Sequence, residues 1–139
     1  LLSNGEKVKL GGTTLTANVT AGHTPGCTTW TTTLKENNKA LNVLFLCSVS
    51  SPTYDLVTNK KYPTIEADYL ASFAWLKKAK VDIFLGSHAG VFNLKDKAAE
   101  LRKGKSPNPF IDPEGYKEFI ADSEKAFLEK VKAQRAAKK

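Results

Sequence analysis

Methionine is absent from all 139 residues, position 1 included, and histidine and cysteine occur only twice each. The missing initiator is what a processed or trimmed chain would have. No apolar run approaches the roughly 20 residues that a membrane-spanning helix needs, so none is expected. The opening Leu1-Leu2-Ser3-Asn4-Gly5-Glu6 has neither a basic start nor a long apolar stretch, so it carries no signal-peptide pattern. Acidic residues are few, 14 against 21 Lys and Arg, which leaves a net charge of +7. Much of that excess lies in Lys130 to Lys139. A basic tail suits nucleic acid or an anionic surface. Here no aromatic residues interleave with the charges, and a solvated helix end whose cations complement the helix dipole is the simpler reading. There is no internal repeat and no low-complexity segment apart from the Lys/Ala tail.

What is present is ordinary for a globular domain: 41% hydrophobic and 25% charged residues, in a length that fits one domain or part of a larger one. Thr14 to Thr20 and Thr28 to Leu34 are rich in β-formers and read as strands. Leu41 to Cys47 is a mostly apolar strand, expected to be covered on both faces. The Asn37-Asn38 pair, tolerant of positive φ, predicts a hairpin between the second and third of these. A long polar loop follows, from Ser48 to Pro63. Thr64 is the expected N-cap of a helix whose apolar stripe is Ile65, Tyr69, Phe73 and Leu76. Val81 to Leu85 reads as a short buried strand and Leu94 to Lys103 as a second helix. Asp112-Pro113-Glu114 starts a final helix running to about Arg135, with Phe119, Ile120, Ser123, Phe127 and Val131 inward. This order predicts an α/β (α+β) fold, a mixed sheet covered by helices on one face.

The histidines stand in matching contexts. His23 lies in Ala21-Gly22-His23-Thr24-Pro25-Gly26-Cys27 and His88 in Leu85-Gly86-Ser87-His88-Ala89-Gly90. Each follows an expected strand, beside glycines that let the backbone approach a bound group. Neutral imidazole is the commonest metal ligand, and zinc takes it readily. A lone loop histidine more often bonds backbone carbonyls or water, but two in such bends point to ligands.

Three stretches in this order carry a resemblance: residues 21–32 around His23, Leu46-Cys47-Ser48-Val49-Ser50, and Gly86-Ser87-His88-Ala89-Gly90-Val91-Phe92-Asn93-Leu94. Together they resemble the metallo-β-lactamase superfamily, above all the third subclass of the class B zinc β-lactamases, over about Val8 to Phe127. The resemblance implies the C-terminal half of an αββα sandwich, residues 1–139 forming a single unit. It implies that His23 binds a first zinc and His88 a second, with Zn(2+) at two per complete enzyme. The family's His-x-His-x-Asp-His motif, which supplies the other ligands, is absent from this chain. One histidine per metal is too few for a catalytic zinc, which takes three protein ligands and an open water position. The isolated chain is therefore expected to be inactive or only weakly active.

The resemblance also implies that Ser48 and Ser50 help hold a substrate carboxylate. Hydroxyls capping loop backbone groups are the alternative. Cys27 and Cys47 lie near the ends of the hairpin strands, where one disulfide or two free buried thiols are both possible. The resembling enzymes often have a bridge at these positions, and such a bond suits a periplasmic or secreted home. Thr24 is expected in a turn role, with hydrogen bonding that polarises the metal's surroundings as the alternative. Trp30, Trp75, Phe84 and Phe92 are read as core, Tyr54 as loop packing or substrate contact, and Asp82 as an orienting group or an exposed one. Asp55, Asp68 and Asp112 show no ligand spacing.

The function implied is hydrolysis of a β-lactam ring by the complete enzyme: metal-bound hydroxide attacks the carbonyl. The partners implied are a small β-lactam substrate, and the missing half or a second copy of the chain. No nucleic acid is expected. The alternatives are another hydrolase of the same fold, acting on a lactone, thioester or phosphoester, or a non-catalytic half-domain that self-associates through an exposed apolar face.

Overall fold

The computed structural model describes residues 2–51 and 53–138. Leu1, Pro52 and Lys139 lie outside the described residues. Among the described residues the elements are β1 (Lys7–Leu10), β2 (Thr13–Val19), β3 (Thr28–Glu36), β4 (Lys39–Leu46), α1 (Ile65–Lys78), β5 (Ile83–Gly86), α2 (Leu94–Arg102) and α3 (Pro113–Ala136). A short 3-10 turn, Ala89–Phe92, links β5 to α2.

The strands lie side by side in chain order. β1 to β4 pair antiparallel, and β5 joins β4 in parallel through the α1 crossover. Threonine fills five of the nine positions of β3, because a β-branched side chain packs well on a pleated surface. The expected hairpin is present: Asn37 and Asn38 have φ of 49° and 63°, and Glu36 faces Lys39 across the turn. Positive φ at both central residues matches the right-handed twist of the flanking strands.

Register separates the two faces of the sheet. Thr31, Leu44 and Phe84 form one row, and Trp30, Phe45 and Leu85 the next. The first face carries the core. Leu44, Leu46 and Phe84 pack with Tyr69, Phe73 and Leu76 of α1 and with Tyr116, Ile120, Phe127 and Val131 of α3. Each such side chain contributes about 1.5–3 kcal/mol on burial. The stripe expected for α1 is buried, and in α3 Ile120, Phe127 and Val131 are buried as expected, whereas Phe119 and Ser123 are half-buried and Tyr116 joins the core.

The second face carries Val8, Leu10, Leu15, Ala17, Val19, Trp30, Leu34, Phe45 and Leu85 by the same register. Leu41 and Val43 share it, and they and Ala17 are buried, while a run of other apolar residues on it is exposed. Leu10 is 85% exposed, Leu34 47%, Val19 43%, Val8 42% and Phe45 38%. The expectation that β4 is covered on both faces therefore holds for Leu41 and Val43 but fails at Phe45. Trp30, read as core, is only half-buried here, while Phe84 and Phe92 are in the core.

Local departures from the sequence reading have simple causes. β1 was not anticipated, because all four of its residues are exposed and only pairing with β2 makes it a strand. Thr64 does not cap α1: its hydroxyl donates to Asp68 Oδ2 at 2.8 Å. Asp112 does cap α3, accepting from the Gly115 N–H at 3.0 Å. A Cβ at Gly115 would meet the Asp112 carboxylate, so a larger residue there would displace the cap. No helix is long and apolar enough to cross a membrane among the described residues.

Candidate functional site

Between β2 and β3 the chain makes a tight bend that carries His23. Its neck is closed by the Thr20 N–H bonding the Cys27 carbonyl at 2.8 Å and by the buried Thr20 and Thr29 hydroxyls at 2.7 Å. Inside, the Thr24 carbonyl accepts from both Gly22 and Cys27, so Thr24 has the expected turn role. Gly22 sits at φ of 141° directly on the ring of Tyr69, where a Cβ would come within 2.7 Å. The Ala21 carbonyl accepts from the buried Ser72 hydroxyl of α1 at 2.7 Å.

His23 Nδ1 lies 2.8 Å from the Ser50 carbonyl oxygen. A carbonyl only accepts, so Nδ1 carries the proton and Nε2 keeps its lone pair. The Tyr54 ring stands 5.8 Å from the imidazole at a 36° tilt. Tyr54 is thus a neighbour of the candidate ligand itself.

The second segment, 47–51, leaves the end of β4. Cys27 and Cys47 form the disulfide, which joins the His23 bend to this segment. Ser48 and Ser50 turn their hydroxyls toward each other, 3.0 Å apart. The Ser48 hydroxyl also accepts from the Ser50 N–H at 3.3 Å, the local capping alternative raised by the sequence. The Ser50 carbonyl takes a second hydrogen bond, from the Tyr69 hydroxyl at 2.7 Å. Burial pushes the Tyr69 phenol well above its ordinary range, so it remains a protonated donor.

His88 follows β5 and precedes the 3-10 turn, to which its carbonyl supplies a bond at 3.0 Å from Val91 N–H. Gly86 lets the chain turn there, since a Cβ would meet Val91 Cγ1 at 2.9 Å. The neighbouring Ser87 hydroxyl donates to the Cys47 carbonyl at 3.0 Å. His88 is exposed and borders a cavity of about 440 Å³ shared with Ser48, Ser50 and Ser87. Its inner wall is apolar, with Leu46, Val91, Phe119 and Phe127. Segment 47–51 is therefore tied to both histidine loops, to one through Ser50 and the disulfide, to the other through Ser87.

The remaining acidic candidates are engaged elsewhere. Asp82 accepts from the backbone and side chain of Asn42 at 2.7 and 3.0 Å, which binds the start of β4 to the segment before β5. That is the end of β5 opposite His88, so Asp82 orients neither histidine. Asp55 accepts from Val57 and Thr58, and Asp68 from Thr64. Among the described residues no group of three or more His, Cys, Asp or Glu could hold a metal ion. The donors among the described residues do not make a zinc site by themselves: both sulfurs are spent in the bridge and two imidazoles remain.

Sequence reasoning missed Tyr69, Ser72 and Ser87 as parts of this site. Tyr69 and Ser72 sit on the buried stripe of α1, where helical spacing says core and cannot say that a polar tip reaches a loop carbonyl. The serine before His88 gave a signal only through its adjacency.

No family model matches the chain. Solved structures do. FEZ-1 metallo-β-lactamase from Legionella gormanii is 47% identical over 96% of this chain, with a TM-score of 0.93. BJP-1, a subclass B3 metallo-β-lactamase of Bradyrhizobium japonicum, is 39% identical over 99% of the chain, with a TM-score of 0.91. A metallo-β-lactamase from Cronobacter sakazakii is 40% identical over 97%, with a TM-score of 0.89. The chain spans about half of each of these, 51%, 52% and 51% of their lengths. Sequence identity, topology and extent of match agree: the chain belongs to the metallo-β-lactamase superfamily and resembles the C-terminal half of its subclass B3 members.

Proposed function

We propose that this chain is the C-terminal half of a zinc-dependent β-lactam hydrolase, inactive or nearly so alone. In the complete enzyme His23 and His88 each supply one ligand to one of two zinc ions, and Ser48 and Ser50 hold the substrate carboxylate. The observation that carries this reading is the His23 hydrogen bond to the Ser50 carbonyl. It leaves the Nε2 lone pair free beside the serine segment that also borders His88. Orientation of a ligating histidine through its other nitrogen is what metal sites use. The remaining ligands come from the complementary half, or from a second copy of the chain.

The test is carbapenem hydrolysis by the purified chain, alone and mixed with a separately produced N-terminal half of a solved relative. The expected result is no turnover alone and chelator-sensitive turnover in the mixture, abolished by His23→Ala or His88→Ala. Chelator-sensitive hydrolysis by the lone chain would refute its inactivity. A stable mixed complex that hydrolyses a lactone, thioester or phosphoester but no lactam would move the assignment to another hydrolase of the fold. The disulfide supports a periplasmic or secreted location, where such bonds persist.

One observation favours a second, non-catalytic reading, a half-domain that associates through its sheet. Val8, Leu10, Val19, Leu34 and Phe45 are all exposed on the face away from the helices. Apolar patches of this kind on a monomer mark interaction surfaces.

A further inference from the structure

We propose that Tyr69, with Ser72 one turn further along α1, is the positioning residue that sets which nitrogen His23 presents. This rests on the reading of His23 as the functional histidine, and it concerns only this chain's own atoms. An unconstrained neutral imidazole prefers to carry its proton on Nε2. The structure requires the opposite form, with Nδ1 protonated, because the partner of Nδ1 is a carbonyl oxygen 2.8 Å away. That form persists only while the Ser50 carbonyl is held where the ring meets it.

Three contacts from one helix face set the two segments that this bond joins. The Tyr69 hydroxyl fills the second lone pair of the Ser50 oxygen at 2.7 Å, fixing the carbonyl from beneath. The Tyr69 ring lies flush against Gly22, the residue before His23, so closely that no Cβ fits at that position. The Ser72 hydroxyl bonds the Ala21 carbonyl at 2.7 Å, fixing the bend one residue earlier. Tyr69 is 1% exposed and Ser72 5%, and both move with a helix anchored in the core through Phe73 and Leu76. The segment 47–51 and the bend 21–23 are therefore both set by α1, and the His23–Ser50 bond spans the two. A tyrosine that served only as packing would need its ring and not its hydroxyl. The hydroxyl is what links the helix to the acceptor of the histidine.

The experiment uses the 139-residue chain labelled with ¹⁵N-histidine, without metal, at a pH where both rings are neutral. Two histidines give two sets of ring nitrogen signals, and His88→Ala assigns them. The wild-type chain shows His23 protonated at Nδ1. Tyr69→Phe keeps the ring and its packing and removes the hydroxyl. The expected result is a rise of about fivefold in the ratio of the Nε2–H to the Nδ1–H form, the size of one net hydrogen bond's preference. Ser72→Ala gives a shift in the same direction, and Leu70→Ala, on the exposed side of α1, gives none. An unchanged His23 ratio in a folded Tyr69→Phe chain overturns the proposal, and so does a wild-type ring protonated at Nε2. If Tyr69→Phe does not fold, Ser72→Ala carries the same test, and an unchanged ratio there overturns it. The readout involves neither zinc nor a lactam. Failure of lactam hydrolysis in the mixed enzyme therefore leaves it intact, and its own failure leaves that reaction untouched.

Discussion

Gly22 is where the site's geometry meets the steric limit of a single carbon. Its φ of 141° is one that side chains rarely adopt, and Tyr69 already fills the space a methyl would need. Gly22→Ala is expected to cost about 3 kcal/mol, combining backbone strain with overpacking. The shift in the urea midpoint measures it, and a loss below about 1 kcal/mol would show that the bend can yield. Ser72→Ala acts differently. It leaves the Ala21 carbonyl without its partner at a buried position, at a cost of about 1–3 kcal/mol. The two histidines, the two serines and the two cysteines were legible as residues, because glycine bends and strand ends flank them. The tyrosine and serine that support His23 were not. A helical period marks which side chains turn inward but carries no information about what their polar tips meet.

At the scale of elements, α3 begins with a charged contact that its capping residue makes. Lys97 donates to Asp112 Oδ2 at 2.6 Å, and that contact first, helped by the Gly115 N–H, holds the Asp112 carboxyl below its ordinary range. A depressed folded-state pKa stabilises above the unfolded value near 3.9 and is lost as pH falls through the folded one. Urea stability should therefore decline on acidification below about pH 4. Asp112→Asn keeps a capping oxygen and removes this part of the decline, whereas Asp112→Ala costs about 1 kcal/mol at neutral pH as well. Equal pH profiles for the wild-type and Asp112→Asn chains would contradict the assignment. The helices and four strands were legible because burial imposes a period on them or leaves them as short apolar runs. β1 was not, because its Lys-Val-Lys-Leu sequence faces water throughout and takes its conformation from β2 alone.

The whole molecule combines a net charge of +7 with a partly exposed apolar sheet face. These act in opposite senses on association: like charges keep copies apart, and the face draws them together. Sedimentation velocity at rising salt should show growing self-association, since screening removes the repulsion and leaves apolar burial unaffected. Replacing Phe45 and Leu34 together by lysine should return the chain to a monomer at all salt concentrations. Persistent oligomers in that variant would place the contact elsewhere. The disulfide closes a separation of 20 residues, so its reduction should cost about 3 kcal/mol, read as a lower urea midpoint in reductant. The sequence made the half-sandwich visible through order of elements and motif resemblance. The extent of the exposed apolar patch was not visible, because it depends on how strands line up rather than on any one of them.

The strands stand in the sheet in the order in which they are made, and all but the last are joined to the strand before them by a short turn or bend. Such a meander closes short loops first and postpones only the joining of β5, so it can reach its shape without long-range templating. If the chain folds before it meets a complementary half, the rate of their union is expected to be set by collision and orientation, and to show no slow phase of structure formation in stopped-flow mixing.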